Sequence, residues 1–149
     1  AVAPNYARCD ADLASTDHYA EVPIATAAGG YGGTIVRKDS SATLTFYYGI
    51  GLASNWLTRR VVGGSETDIG SNTNTGLADG DVFRLTANGS SIIRSKNGSE
   101  QNTATDTNIT TGTRGGITSD QFGARLDGWT ASDLAAPASA RLRRIALRA

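Results

Sequence analysis

Three glutamates (Glu21, Glu66 and Glu100), one histidine (His18) and one cysteine (Cys9) are the first candidates for chemistry in this 149-residue chain. Retaining cleavage of a glycosidic bond needs a nucleophile and a general acid facing each other about 5–5.5 Å apart. Glu66 and Asp68 come closest to this, because in Ser65-Glu66-Thr67-Asp68-Ile69 they stand two residues apart and share one face of a strand. They lack a third carboxylate and follow Gly63-Gly64, so the segment reads as an exposed hairpin edge. His18, in Asp17-His18-Tyr19, would need the fold to bring it a serine and a carboxylate. No Gly-x-Ser-x-Gly elbow accompanies it, and it reads as a half-exposed histidine at a strand end. Cys9 alternates with charged neighbours in Arg8-Cys9-Asp10 and reads as a small buried apolar residue. Gly29-Gly30-Tyr31-Gly32-Gly33 lacks the Lys-Ser/Thr ending and the following helix of a phosphate loop, which leaves a flexible strand connection. No catalytic centre assembles from this set, and the chain is expected not to be an enzyme.

Binding is the other chemistry open to it. Sugars offer C–H faces to aromatic rings and hydroxyls to amides and carboxylates, so a ligand site would need an exposed aromatic platform. Trp56, Tyr31 and Tyr47 are the candidates, with a place in the core as the competing reading for Trp56. The sequons Asn88-Gly89-Ser90, Asn97-Gly98-Ser99 and Asn108-Ile109-Thr110 read as turns.

The elements that must position these residues follow from a lopsided composition: 18 Gly, 18 Thr, 13 Ser and 8 Asn against 2 Lys, 3 Glu and no Met. Thr favours strands, and Gly, Ser and Asn punctuate turns, so many short strands are expected. Candidate strands fall at Tyr6 to Leu13, His18 to Ile24, Thr34 to Lys38, Thr43 to Tyr48, Trp56 to Val62, Val82 to Ala87 and Ser91 to Lys96. Two more, Gly115 to Ile117 and Gly123 to Leu134, close the sheet, with Leu126, Trp129 and Leu134 as core anchors. Alternation is clear where Phe83, Leu85 and Ala87 share one face and Arg84 and Thr86 the other. Asn88-Gly89 and Asn97-Gly98 predict hairpins with type I′ turns. The fold class is therefore all-β, an antiparallel sandwich. One cysteine allows no intrachain disulfide, no run of about 18 apolar residues is present, and a net charge of zero argues against a broadly basic nucleic-acid binder. A first residue other than Met suggests a processed or trimmed chain.

The order of Tyr19-Ala20-Glu21-Val22, Gly33-Thr34-Ile35-Val36-Arg37, Val61-Val62-Gly63-Gly64, Gly80-Asp81-Val82-Phe83-Arg84-Leu85, Asn88-Gly89 and Asp106-Thr107-Asn108-Ile109-Thr110-Thr111-Gly112 resembles the concanavalin A-like, laminin-G-like jelly rolls. Gly115-Gly116-Ile117 and Leu126-Asp127-Gly128-Trp129 fit the same pattern. The resemblance implies a two-sheet jelly roll over residues 1–134, with only Ala1 to Asn5 left where the family places an additional first strand. It also implies a lectin-like module, and calcium at the rim held by aspartates such as Asp79, Asp81, Asp106 and Asp127. The family's retaining glucanases carry two glutamates and an aspartate at alternate positions of one strand, a triplet this chain lacks. Residues 135–149 are an Ala/Pro spacer and a tail bearing Arg141, Arg143, Arg144 and Arg148. Without those four arginines the remainder has 10 basic against 14 acidic residues, a net −4 facing a +4 tail. The tail is expected to dock on a neighbouring subunit. The resulting expectation is a non-catalytic structural and adhesive module on a virion exterior, a phage decoration or tail-associated protein that binds host glycans. The alternative is a secreted bacterial carbohydrate-binding module. Its partners would be other copies, neighbouring surface subunits or a cell-surface glycan, with no nucleic acid, no membrane insertion and no obligatory cofactor.

Overall fold

A computed structural model of the chain describes residues 5–8, 11–26, 31–41, 43–51, 56–71, 76–119 and 125–134. Every element among the described residues is a strand: β1 Asn5–Arg8, β2 His18–Thr26, β3 Gly32–Lys38, β4 Phe46–Gly51, β5 Trp56–Val62, β6 Ser65–Asp68, β7 Val82–Asn88, β8 Ser91–Lys96, β9 Ser99–Thr105, β10 Arg114–Ser119, β11 Arg125–Leu126 and β12 Thr130–Asp133. The first sheet runs β1-β10-β3-β4-β5-β6. The second runs β11-β2-β7-β8-β9, with β12 also paired to β2. All pairings are antiparallel.

The sheets pack face to face because strands with period-2 alternation have one apolar side to bury. Val36, Tyr47 and Trp56 from the first sheet meet Val22, Phe83 and Leu85 from the second in the main core. Each such side chain contributes about 1.5–3 kcal/mol when fully withdrawn from water. The Trp56 and Phe83 rings lie 5.1 Å apart, centroid to centroid. β7 follows the expected alternation, with Phe83, Leu85 and Ala87 buried and Arg84 and Thr86 half-buried. Leu126 and Trp129 only border this core, half-buried at the β2 edge, and Leu134 is half-buried as well.

The hairpins show how the turn residues set register. Val62 pairs with Ser65 and Lys96 with Ser99, leaving two-residue turns. In those turns Gly63 and Gly64 (φ 58° and 85°) and Asn97 and Gly98 (φ 50° and 80°) are all left-handed, as type I′ requires. The β7–β8 turn differs from expectation. Asn88 pairs with Ser91, so the central residues are Gly89 and Ser90, and only Gly89 has positive φ, the pattern of type II′.

Candidate ligand-binding face

Two of the three expected platform residues belong to the core. Trp56 and Tyr47 are each 0% exposed and face the second sheet, so neither can meet a sugar. The physical reason is register: Gly51 pairs with Trp56 and Tyr47 with Arg60, which sets both rings on the inward face of their strands. The Tyr47 hydroxyl donates to Asp106 Oδ1 at 2.6 Å and accepts from the Ile109 amide at 3.0 Å, and burial together with Asp106 pushes its pKa up to about 12. Tyr31, the third candidate, lies half-buried against the opposite side of the first sheet.

That opposite side carries a second cluster of Ile35, Phe46, Tyr48, Ile50 and Val61, with Tyr6, Tyr31 and Leu57 packed against it. Tyr48 and Phe46 alternate with Tyr47 along β4, so this face looks away from the second sheet. Tyr6 lies on β1 at one edge of the sheet and Glu66 on β6 at the other. In a flat sheet five interstrand spacings would hold them about 24 Å apart. Yet the Tyr6 hydroxyl donates to Glu66 Oε1 at 3.0 Å. The sheet is therefore rolled into a trough, concave on the outward side, and side chains from the two edge strands meet across it. Tyr6 also packs edge-on against Phe46 and Tyr48, with centroids 4.9 and 5.8 Å away.

At the β5–β6 end of the trough the groups are polar and reach solvent. The two-residue Gly63-Gly64 turn places Arg59 opposite Asp68 and Val61 opposite Glu66. Arg59 Nε donates to Asp68 Oδ1 at 2.6 Å, and its Nη1 donates to Glu66 Oε2 at 3.1 Å and to the Tyr48 hydroxyl at 3.3 Å. The Tyr48 hydroxyl in turn donates to Glu66 Oε1 at 3.0 Å. Burial, reinforced by Tyr48 and Glu66, raises the Tyr6 pKa far above the ordinary phenol value, and burial raises that of Tyr48. Both phenols stay protonated donors throughout the physiological range. Side-chain exposure rises outward, from 29% at Arg59 through 35% at Glu66 to 61% at Asp68. Glu66 and Asp68 thus sit on an edge hairpin, as the sequence suggested. Tyr6, Tyr48 and Arg59 were not picked out. Arg59 was within reach, because counting back across a two-residue turn pairs it with Asp68. The Tyr6 contact depends on the curvature of the whole sheet.

The other polar candidates are engaged in the frame. Asp81 accepts from the Ala78 amide at 2.7 Å and from Asn97 Nδ2 at 2.8 Å, and pairs with Lys96 at 2.6 Å. Burial would raise its pKa, but these partners together hold it below the usual carboxylate range. Asp106 behaves likewise, held down against burial by Tyr47, Asn108 and Arg60. Two of the four aspartates considered for calcium are thereby committed to protein partners. Among the described residues no group of three or more His, Cys, Asp or Glu side chains is placed to hold a metal ion. His18 is fully buried, a correction to the half-exposed expectation. Its Nδ1 faces the Ser15 carbonyl at 3.1 Å and its Nε2 accepts the Arg37 amide at 3.1 Å. Cys9 and the tail residues Arg141, Arg143, Arg144 and Arg148 lie outside the described residues. No described helix is long and apolar enough to cross a membrane.

No protein-family model matches the chain, and no curated protein matches it in sequence. Its fold matches solved structures. One is the carbohydrate binding module CBM66 from Bacillus subtilis, with a TM-score of 0.65 and 15% identity over 88% of this chain and 92% of that one. Another is sheep galectin-11 in complex with glycerol, with a TM-score of 0.63 and 7% identity over 87% of this chain and 99% of that one. The chain has the lectin-like jelly-roll fold expected from its sequence, built as two antiparallel sheets.

Proposed function

We propose that the chain is a non-catalytic carbohydrate-binding module whose ligand lies in the concave face of the first sheet, at the β5–β6 end. The observation that carries this reading is the solvent-facing set Arg59, Glu66 and Asp68, fixed by mutual hydrogen bonds beside the phenols of Tyr6 and Tyr48. A guanidinium and two carboxylates held in place can donate to and accept from neighbouring hydroxyls without first being ordered, which lowers the entropic cost of binding. The shared fold with a carbohydrate binding module supports the same class of ligand. The reading assigns no bond cleavage to Glu66 or Asp68, because both carboxylates face one Arg59 guanidinium and not each other across a gap for substrate.

The test is a glycan array followed by calorimetry on the best ligand. Arg59→Gln and Asp68→Asn are each expected to weaken binding about 10- to 100-fold, the worth of a charge-assisted hydrogen bond. Full affinity in both variants, or no glycan bound by the native chain, would overturn the proposal.

We place this module outside the cell, on a virion exterior as a phage decoration or tail-associated protein, or as a secreted bacterial module. The segregation of a +4 tail from a −4 remainder supports an assembly role alongside binding. So does β6, an edge strand whose four residues are all exposed, since an open edge offers unpaired backbone groups to another chain.

A further inference from the structure

Arg94 is 0% exposed and stands on β8 two residues from Ile92, on the side that faces the core. One of its nitrogens, Nη2, donates to the Ser71 carbonyl at 2.7 Å. Its Nε and Nη1 are buried with no partner among the described residues, and no described carboxylate pairs with it. Burial alone pushes its pKa down to about 10, still far enough above neutrality to leave it charged. A buried cation without a counter-charge is costly by several kcal/mol, so folded chains rarely keep one.

Its neighbours share the deficit. Asn102 is directly opposite Arg94 on β9, and its Oδ1 is buried without a partner among the described residues. The Thr58 hydroxyl on β5 of the facing sheet is buried and equally unpartnered among the described residues. The two side chains converge: a Cβ placed on Gly70 would lie 2.9 Å from Asn102 Oδ1 and 3.7 Å from the Thr58 Cβ. Two guanidinium nitrogens and a hydroxyl all have hydrogens to donate, and a half-turn of the Asn102 amide presents its NH2 group as well. The set carries an excess of donors and one uncompensated positive charge.

We propose that Arg94, Thr58 and Asn102 form an internal binding site for a small monovalent anion of the size of chloride, enclosed between the sheets beside Gly70 and Ser71. The anion neutralises the guanidinium and accepts from Nε, Nη1 and the Thr58 hydroxyl. The site is separate from the concave face and does not depend on glycan binding.

The test is thermal unfolding of the full chain in sodium chloride against sodium gluconate at matched ionic strength, with chloride-35 line broadening as a direct probe. A ligand held by the native state alone raises stability by a fixed increment per tenfold rise in its concentration above Kd. The native chain is expected to show that rise with chloride but not with the bulkier gluconate, and to broaden the chloride resonance. Arg94→Met removes the charge while filling the same space, and should abolish both effects. Thr58→Val keeps the charge and should weaken the chloride response without removing it. Equal chloride responses in the native chain and Arg94→Met, or no response and no broadening in the native chain, would overturn the proposal. Should Arg94→Met fail to fold, the broadening by the native chain and its reduction in Thr58→Val decide the matter.

Discussion

His18 is held as a neutral ring, because its Nε2 must be bare to accept the Arg37 amide and its Nδ1 must carry the proton shared with the Ser15 carbonyl. Burial lowers its pKa below the ordinary 6.5, and the nearby Arg37 charge adds to this, while Ser15 and Asp133 oppose it. The unfolded chain then binds a proton that the native one refuses, so stability is full above about pH 6.5 and falls as pH drops through that value. Asp12, Asp39, Asp81 and Asp106 have depressed pKa values and lose stability only nearer 3.8 and below. Urea midpoints should therefore fall between about pH 7 and pH 5, and His18→Gln should flatten that slope. Tyr47 makes a second case. Removing its hydroxyl strands the buried Ile109 amide and takes a donor from Asp106, so Tyr47→Phe should cost about 1–3 kcal/mol in chemical denaturation. Glycan affinity should be unchanged, in contrast to the platform role first expected. Burial of this kind was only half legible: alternation showed that Tyr47 opposes Phe46 and Tyr48, but both faces of β4 are buried, and nothing in residue type said which would meet solvent.

At the scale of elements, sequence was a good guide wherever apolar residues alternate between turn signals, as in β7 and β8, whose predicted spans match to within a residue. It was a poor guide to the polar edges. β9 reads Ser-Glu-Gln-Asn-Thr-Ala-Thr and buries only Ala104, and all four residues of β6 are exposed, so neither has a hydrophobic period to announce it. β4 continues through Gly49 to Gly51, past the Thr43 to Tyr48 span expected from sequence. The glycines divide by physical role, and substitutions should separate them. Gly64 has φ 85° and no neighbour within 4 Å of a Cβ, so Gly64→Ala should cost only the conformational penalty of about 1–2 kcal/mol and leave the spectrum of the fold intact. At Gly33 a Cβ would lie 1.8 Å from the Gly49 carbonyl oxygen, so Gly33→Ala should part β3 from β4 and leave insoluble or unfolded protein, read by expression yield and far-ultraviolet dichroism.

For the molecule as a whole, the antiparallel sandwich was readable from composition and turn spacing and its jelly-roll fold from the resemblance of its motif order, whereas the rolled shape of the first sheet was not. Curvature arises from how six strands coil together, and no single residue encodes it. Charge at this scale yields the assembly prediction. Deleting residues 141–149 removes four arginines and leaves a net −4 body. Light scattering should then show an intact fold but weaker self-association, most visibly at low salt, where the attraction between tail and body is least screened and the truncated −4 bodies repel one another most. An unchanged mass across the salt series would discard the tail as a docking arm. The rolled sheet also bears on mechanics. Asn5 pairs with Ser119 and Ser119 with Gly32, at the end of the sandwich where β2 finishes, whereas Asp133 pairs with His18 at the end where β2 begins. Tension applied between Asn5 and Asp133 therefore runs along the strands and loads the four β1–β10 pairs together, in shear. Shearing takes far more force than peeling pairs singly, so a tethered copy would keep the Tyr6 phenol on Glu66 and its trough closed until β1 slid free as a unit.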